Sequence, residues 1–204
     1  MPIDLTPQFL KDRFSDSDDL KTNFKINYNR FQPKNFYKHH SENYISYQIY
    51  SSPFGDVIIG SVSDGICYVH FVENIEMAKK DIKAYFSDCN LQEEETKQQK
   101  IALKIICENQ WPDMLKIYAH GTDFQYEVWR ALTKIKYGQI TTYSELAKNM
   151  GIESSSRAVG SAIGANEIAY LIPCHRVVQK TGKLSGFRWG ETLKEKLLIQ
   201  ELSS

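Results

Sequence analysis

The chain has 204 residues, of which 42% are apolar and 25% charged, enough to bury a core as one large or two small domains. No apolar run approaches the roughly 18 residues of a spanning helix, and the acidic start MPIDLTPQFLKDRFSDSDD does not read as a signal peptide, so a cytoplasmic protein with no membrane partner is expected. Formal charge is zero, and Cys67, Cys89, Cys107 and Cys174 are widely spaced with no CxxC, which argues against a disulfide framework or a structural zinc site.

Residues 1–43 are polar and weakly periodic, and read as an N-terminal extension with local helix near Pro7 to Arg13. From Tyr44 the texture becomes strand-like. YISYQIY, DVIIGSV and GICYVHF are β-rich runs separated by the turn sequences SSPFG and SDG. Helices follow around Ile75–Phe86 and Lys97–Asn109, which makes residues 44–120 a small α+β domain. The remainder, 121–204, reads as mainly helical. Thr122 or Asp123 can cap FQYEVWRALTKI, where Phe124, Val128, Leu132 and Ile135 recur at helical spacing. TTYSELAKNM opens on Thr142 with Glu145 three residues on, a capping-box arrangement, and Gly151 stops it. SSSRAVGSAIGAN carries serine caps and small residues, and a last helix spans Thr192–Leu202. Helix, short glycine-containing turn, helix is the outline of a helix-turn-helix. The fold class is therefore α+β, a strand-and-helix domain followed by a helical one.

Zero net charge hides an asymmetry. Residues 51–120 hold 7 Lys and Arg against 11 Asp and Glu, a balance of −4; residues 121–204 hold 11 against 8, a balance of +3. A basic half suits a polyanion, and the same count also fits a solvated surface.

The sharpest segment is LIPCHRVV, residues 171–178. Pro173 is tolerated at the first turn of a helix, which places Cys174 at a helix N-terminus where the dipole favours a thiolate. His175 and Arg176 bring charge or proton-accepting capacity beside it, the setting that lowers a thiol pKa. Adjacent helical residues do not face each other, so a water bridge between Cys174 and His175 is the natural solution. The imidazole needs a carboxylate to hold its tautomer, with Glu195 and Glu201 as candidates.

IPCHRVV, together with GTDFQYEVW, GQITTYSELA, SRAVGSAIGAN and SGFRWG, resembles the O6-alkylguanine-DNA alkyltransferase family, most closely the transferase half of bacterial adaptive-response proteins. The likeness is close over 121–202, loose over 44–120, and absent over 1–43. It implies a ribonuclease-like N-terminal domain and a helix-turn-helix alkyltransferase domain. It also implies DNA repair by direct reversal: one irreversible transfer of an alkyl group from O6 of guanine to Cys174, without metal or cofactor. By the same resemblance His175 is the base acting through water, Glu201 the relay carboxylate, and Tyr143 the hydroxyl that bonds the flipped guanine and crowds its 3′ phosphate. Ser185 would donate toward O6. The carbonyls of Cys174 and Val177 would accept from the exocyclic amine, and Ile163 would wall the pocket. Arg157 matches the finger that fills the vacated stack, and Asn166 matches the asparagine of the turn before the cysteine. The implied partner is double-stranded DNA carrying O6-alkylguanine, with O4-alkylthymine a further candidate, met by a monomer. Everything requires a sulfur open to an everted base. Residues 1–66 contain no cysteine, so the phosphotriester repair and regulatory role of the adaptive-response proteins' upstream zinc-bound cysteine domain are not expected. Cys67, Cys89 and Cys107 read as core. A non-catalytic lesion binder, a transcriptional regulator and a cysteine hydrolase are the alternatives; the first lacks the cysteine, the second leaves PCHRV idle, and the third leaves the helix-turn-helix idle.

Overall fold

The computed structural model describes residues 25–30, 44–184 and 186–203, and it is an α+β protein of two compact units. One unit comprises Asn23–Gly121 and Glu167–Leu171. Its six-stranded mixed sheet has the order β1-β6-β4-β3-β2-β5, formed by β1 (Lys25–Arg30), β2 (Tyr44–Ser52), β3 (Gly55–Val62), β4 (Gly65–Val72), β5 (Asn90–Glu93) and β6 (Met114–Ala119). The consecutive strands β2, β3 and β4 are antiparallel, joined by the two tight turns read from the sequence; β1–β6, β4–β6 and β2–β5 are parallel. Parallel pairs need crossovers. Helices α1 (Ile75–Tyr85) and α2 (Lys97–Glu108) lie in the connections that supply them. Asn74 caps α1, and Thr96 with Gln99 forms a full capping box on α2. Ile45, Ile58, Tyr68, Ile82 and Phe86 form a core with little or no surface left.

Two expectations change here. The stretch 1–43 is not only an extension, because Lys25–Arg30 pairs in register with all of β6. A short polar strand shows no amphipathic period by itself; its edge position in a parallel pair comes from the partner strand. The helix expected near Pro7 to Arg13 lies outside the described residues. β5 and β6 also escaped the sequence reading, being brief runs beside stronger helical patterns.

The second unit contains Thr122–Asn166 and Ile172–Ser204. Its helices are α3 (Asp123–Leu132), α4 (Tyr143–Asn149), α5 (Ser156–Gly164) and α6 (Glu191–Leu202), with a two-strand pairing of β7 (Thr141–Thr142) and β8 (Val177–Val178). Thr122 is the N-cap of α3 in a full capping box with Gln125. The helix stops at Leu132, and its buried face is Tyr126, Val128, Trp129 and Leu132; Phe124 is exposed, against the stripe read from spacing. Thr142 Oγ1 accepts from Glu145 N at the start of α4. The serines do not cap α5. A 3-10 turn, Glu153–Ser155, leads into it, the N-cap Ser155 makes no side-chain bond, and Ser156 Oγ donates instead to Glu153 O. Trp129 Nε1 donates to Ala162 O, which locks α3 to α5. Ile140, Val178, Leu198 and Leu202 make a core around α6. Among the described residues no helix is long and apolar enough to cross a membrane.

Candidate active site

Cys174 starts a single 3-10 turn, Cys174–Arg176, with Pro173 in the N-cap position. Three residues carry almost no macrodipole, so the expected helix N-terminus is not what acts on the sulfur. The turn is fixed by Cys174 N donating to Ile172 O at 2.8 Å, Arg176 N to Pro173 O at 3.1 Å, and Val177 N to Cys174 O. Cys174 retains 4% of its surface. The open sulfur that the sequence reading required is thus an enclosed one, and burial pushes its pKa up. Four influences oppose burial: the hydrogen bond from Asn166, the charge of Lys194, a backbone hydrogen bond, and the charge of Arg188. His175 and Arg176, the sequence neighbours expected to lower this pKa, are not among them.

Arg176 is committed elsewhere. Its Nε and Nη2 reach Glu201 Oε2 and Oε1 at 2.8 and 3.0 Å, and Nη1 donates to Ile135 O at 2.6 Å. His175 Nε2 lies 2.7 Å from Glu201 Oε1. Glu195 is exposed, so of the two candidate carboxylates Glu201 is the one at the imidazole. Burial favours a neutral Glu201, but His175 and Arg176, by charge and by hydrogen bonds, outweigh it and hold the carboxyl at about 2. Burial drives His175 the other way, below its ordinary value and against the pull of Glu201. A neutral imidazole beside an ionised carboxylate must donate from Nε2, which leaves Nδ1 as the basic nitrogen.

Asn166 follows α5 and the C-cap Ala165, and its Nδ2 donates to Ile172 O at 3.0 Å and toward Cys174 Sγ at 3.3 Å. The segment after it, Glu167–Leu171, belongs to the sheet unit: Val69 N donates to Glu167 O, Ala169 N to Val69 O, and His70 pairs with Glu167 at 2.6 Å. Tyr143 opens α4, and burial and then the Cys174 charge raise its pKa. Gly186, at φ +84°, would place a Cβ 3.1 Å from the Tyr143 hydroxyl, so glycine is what allows that approach.

The family model for the 6-O-methylguanine DNA methyltransferase DNA-binding domain matches residues 123–203. The methylated-DNA–protein-cysteine methyltransferase of Methanosarcina acetivorans is 38% identical over 171 residues, 76% of this chain and 97% of that protein. The chain belongs to the O6-methylguanine DNA methyltransferase family. That family's activity is the transfer of an alkyl group from O6 of guanine in DNA to a protein cysteine, a repair reaction. The Candida glabrata methyltransferase is 51% identical over 84 residues, which span 41% of either chain. The crystal structure of Mycobacterium tuberculosis O6-methylguanine methyltransferase superposes with a TM-score of 0.64 at 28% identity, over 78% of this chain and 93% of that one. A structure of the Mycobacterium protein in complex with DNA superposes at 0.56 and 30% identity, with the same coverage.

Within this family member, Asn166 meets Cys174 and Glu201 meets His175 on the same 3-10 turn, and Ile163 and Val177 are buried. Val177 O already accepts from Lys194 Nζ at 2.6 Å, so one of the two acceptors assigned to a guanine amine is partly occupied. Arg157 is exposed on α5 beside Ala158, Ser161 and Gly164. Ser185 lies outside the described residues. Among those described, no group of three His, Cys, Asp or Glu could hold a metal. Cys67 is buried as read, while Cys89 and Cys107 are only half-buried. Lys194 and Arg188 were missed from the sequence. A signal existed for the lysine: it precedes Glu201 by two turns of α6, on the stripe that buries Leu197, Leu198 and Leu202.

Proposed function

We propose that this chain repairs O6-alkylguanine in double-stranded DNA by one irreversible transfer to Cys174, as a monomer and without metal or cofactor. The observation that carries the assignment of roles is one buried cluster in which Asn166 touches the Cys174 sulfur and Glu201 fixes the tautomer of the adjacent His175. The Cys174 thiol gives its proton, through a water, to His175 Nδ1. The sulfur then attacks the alkyl carbon in line; the C–S bond forms, the C–O6 bond breaks, and its electron pair stays with guanine, which takes up a proton. Tyr143 bonds the leaving base, Ser185 donates toward O6, the Cys174 and Val177 carbonyls accept from its amine, and Ile163 walls the pocket. Water does not displace a cysteine thiolate from a thioether carbon, so each molecule acts once.

DNA enters this reading through chemistry as well as kinship. A base in a duplex must be everted before its O6 can be reached, at about a few kcal/mol, and a badly paired alkylguanine costs less. The small exposed face of α5, Ala158, Ser161 and Gly164, permits close approach to the minor groove, and Arg157 fills the vacated stack. Lysines and arginines of residues 121–204 meet phosphates, so binding weakens with salt. O4-alkylthymine presents a similar alkyl ether and is a second substrate to assay.

Incubation with a duplex containing O6-methylguanine tests this. Peptide mass spectrometry should find one methyl per molecule on Cys174, and none in Cys174→Ala. Turnover beyond one equivalent would identify a hydrolase, and tight binding without transfer a lesion sensor.

A further inference from the structure

Lys194 is the buried cation that the reaction scheme above leaves unused. It has no accessible surface, and its Nζ donates to Val177 O at 2.6 Å while lying 5.9 Å from the centre of the Phe187 ring. Val177 N in turn donates to Cys174 O, so a short chain of hydrogen bonds joins the ammonium to the cysteine turn. Among the described residues no carboxylate pairs with Lys194 within 4.0 Å, whereas the other buried cation of this unit, Arg176, has Glu201. Enclosing an ammonium without an anion is costly, so its place beside the cysteine turn calls for a reason. The group within electrostatic reach that becomes an anion in the reaction is the Cys174 sulfur, each group acting on the other.

We propose that Lys194 is a positioning residue for alkyl transfer, the counter-ion that the Cys174 thiolate meets as it forms. The inference rests on Cys174 being the reacting group. Burial lowers the Lys194 pKa to about 8, against the opposing charges of Cys174 and Glu191, so its proton is held close to working pH. The groups that face the pair are few. Cys174 sees Lys194, Arg188 and Tyr143; Lys194 sees Cys174, Glu191 and the His175 imidazole. Arg188 bonds Gly164 O from an exposed position, where solvent weakens its effect on the sulfur. Lys194 acts from inside the core, where a charge is screened least.

Lys194→Met keeps the stem and removes the charge. Methylation of Cys174 by methyl iodide, followed across pH by peptide mass spectrometry, needs no DNA and so separates this inference from the repair assignment. The rising limb should move up by about one pH unit, a loss of about tenfold at pH 7.5 that is recovered at higher pH. An unchanged profile, or an equal loss at every pH, would overturn the proposal. Should the variant not fold, the wild-type protein decides: the Lys194 ε-carbon resonance, followed by carbon-13 NMR, should show a second step where Cys174 ionises, and methylation of Cys174 should abolish that step. A profile without that step, or one that methylation leaves unchanged, would also overturn it.

Discussion

Replacing Glu201 by glutamine tests the charge arrangement behind the imidazole. Glu201 is 3% exposed and receives Arg176 Nε and Nη2 at 2.8 and 3.0 Å and His175 Nε2 at 2.7 Å. Glutamine keeps the volume, loses the charge, and turns an NH2 group toward at least one of those donors. Removing one member of a buried ion pair costs about 3–5 kcal/mol, because the other charge stays behind. Acid titration gives a second figure. The carboxyl is held at about 2 against an ordinary 4.5, burial opposing and His175 and Arg176 prevailing, and that difference is worth about 3 kcal/mol. The folded value lies below the unfolded one, so this stability is fully present above pH 4.5 and is lost as pH falls toward about 2. Urea unfolding at pH 7 should therefore place Glu201→Gln about 3–5 kcal/mol below wild type, with the gap closing by about 3 kcal/mol between pH 4.5 and 2. A gap under about 1 kcal/mol, the worth of an exposed pair, or one that does not change with pH, refutes the reasoning.

Two further outcomes follow from single positions. Gly186→Ala forces a side chain into φ +84° and brings its Cβ 3.1 Å from the Tyr143 hydroxyl, so it should cost about 1–3 kcal/mol in thermal or urea unfolding and slow transfer by displacing the phenol. Wild-type transfer in that variant would remove Tyr143 from the reaction. Arg157→Ala alters an exposed side chain, so stability should stay within about 0.5 kcal/mol while repair in duplex DNA falls far more than reaction with free O6-benzylguanine. Equal losses on the two substrates would remove the finger role.

Much of the fold was legible because it rests on local chemistry. Turn residues bracket β2, β3 and β4, and Thr96, Thr122 and Thr142 mark helix starts with bonds that involve only residues three positions away. β1, β5 and β6 were not legible, since their reason for being strands is a parallel partner distant in sequence. The same division runs through the site. Cys174 and His175 stand out in the sequence, and Glu201 follows from resemblance. The environment of the sulfur was read from adjacency, and adjacency misled. Arg176 sits two residues from Cys174 and spends its charge on Glu201, whereas the groups that act on the thiol come from positions 166, 188 and 194.

That arrangement has a consequence for how an enclosed thiol can react at all. At rest His175 is neutral, and Arg176 balances Glu201, so this cluster carries no net charge. In the proposed reaction, passing a proton from Cys174 to His175 creates a thiolate and an imidazolium without bringing charge in from water. Glu201 lies 2.7 Å from the ring that becomes positive, and Lys194 acts on the sulfur that becomes negative. Each new charge meets an opposite one already held in place, so little reorganisation is needed in so enclosed a site. Displacement then cancels the thiolate as the C–S bond forms, and guanine leaves with the electron pair and a basic atom able to take the imidazolium proton. The thiolate and the imidazolium both vanish as products form, and the cluster ends without a sulfur nucleophile, which suits a one-way reaction rather than reversible exchange.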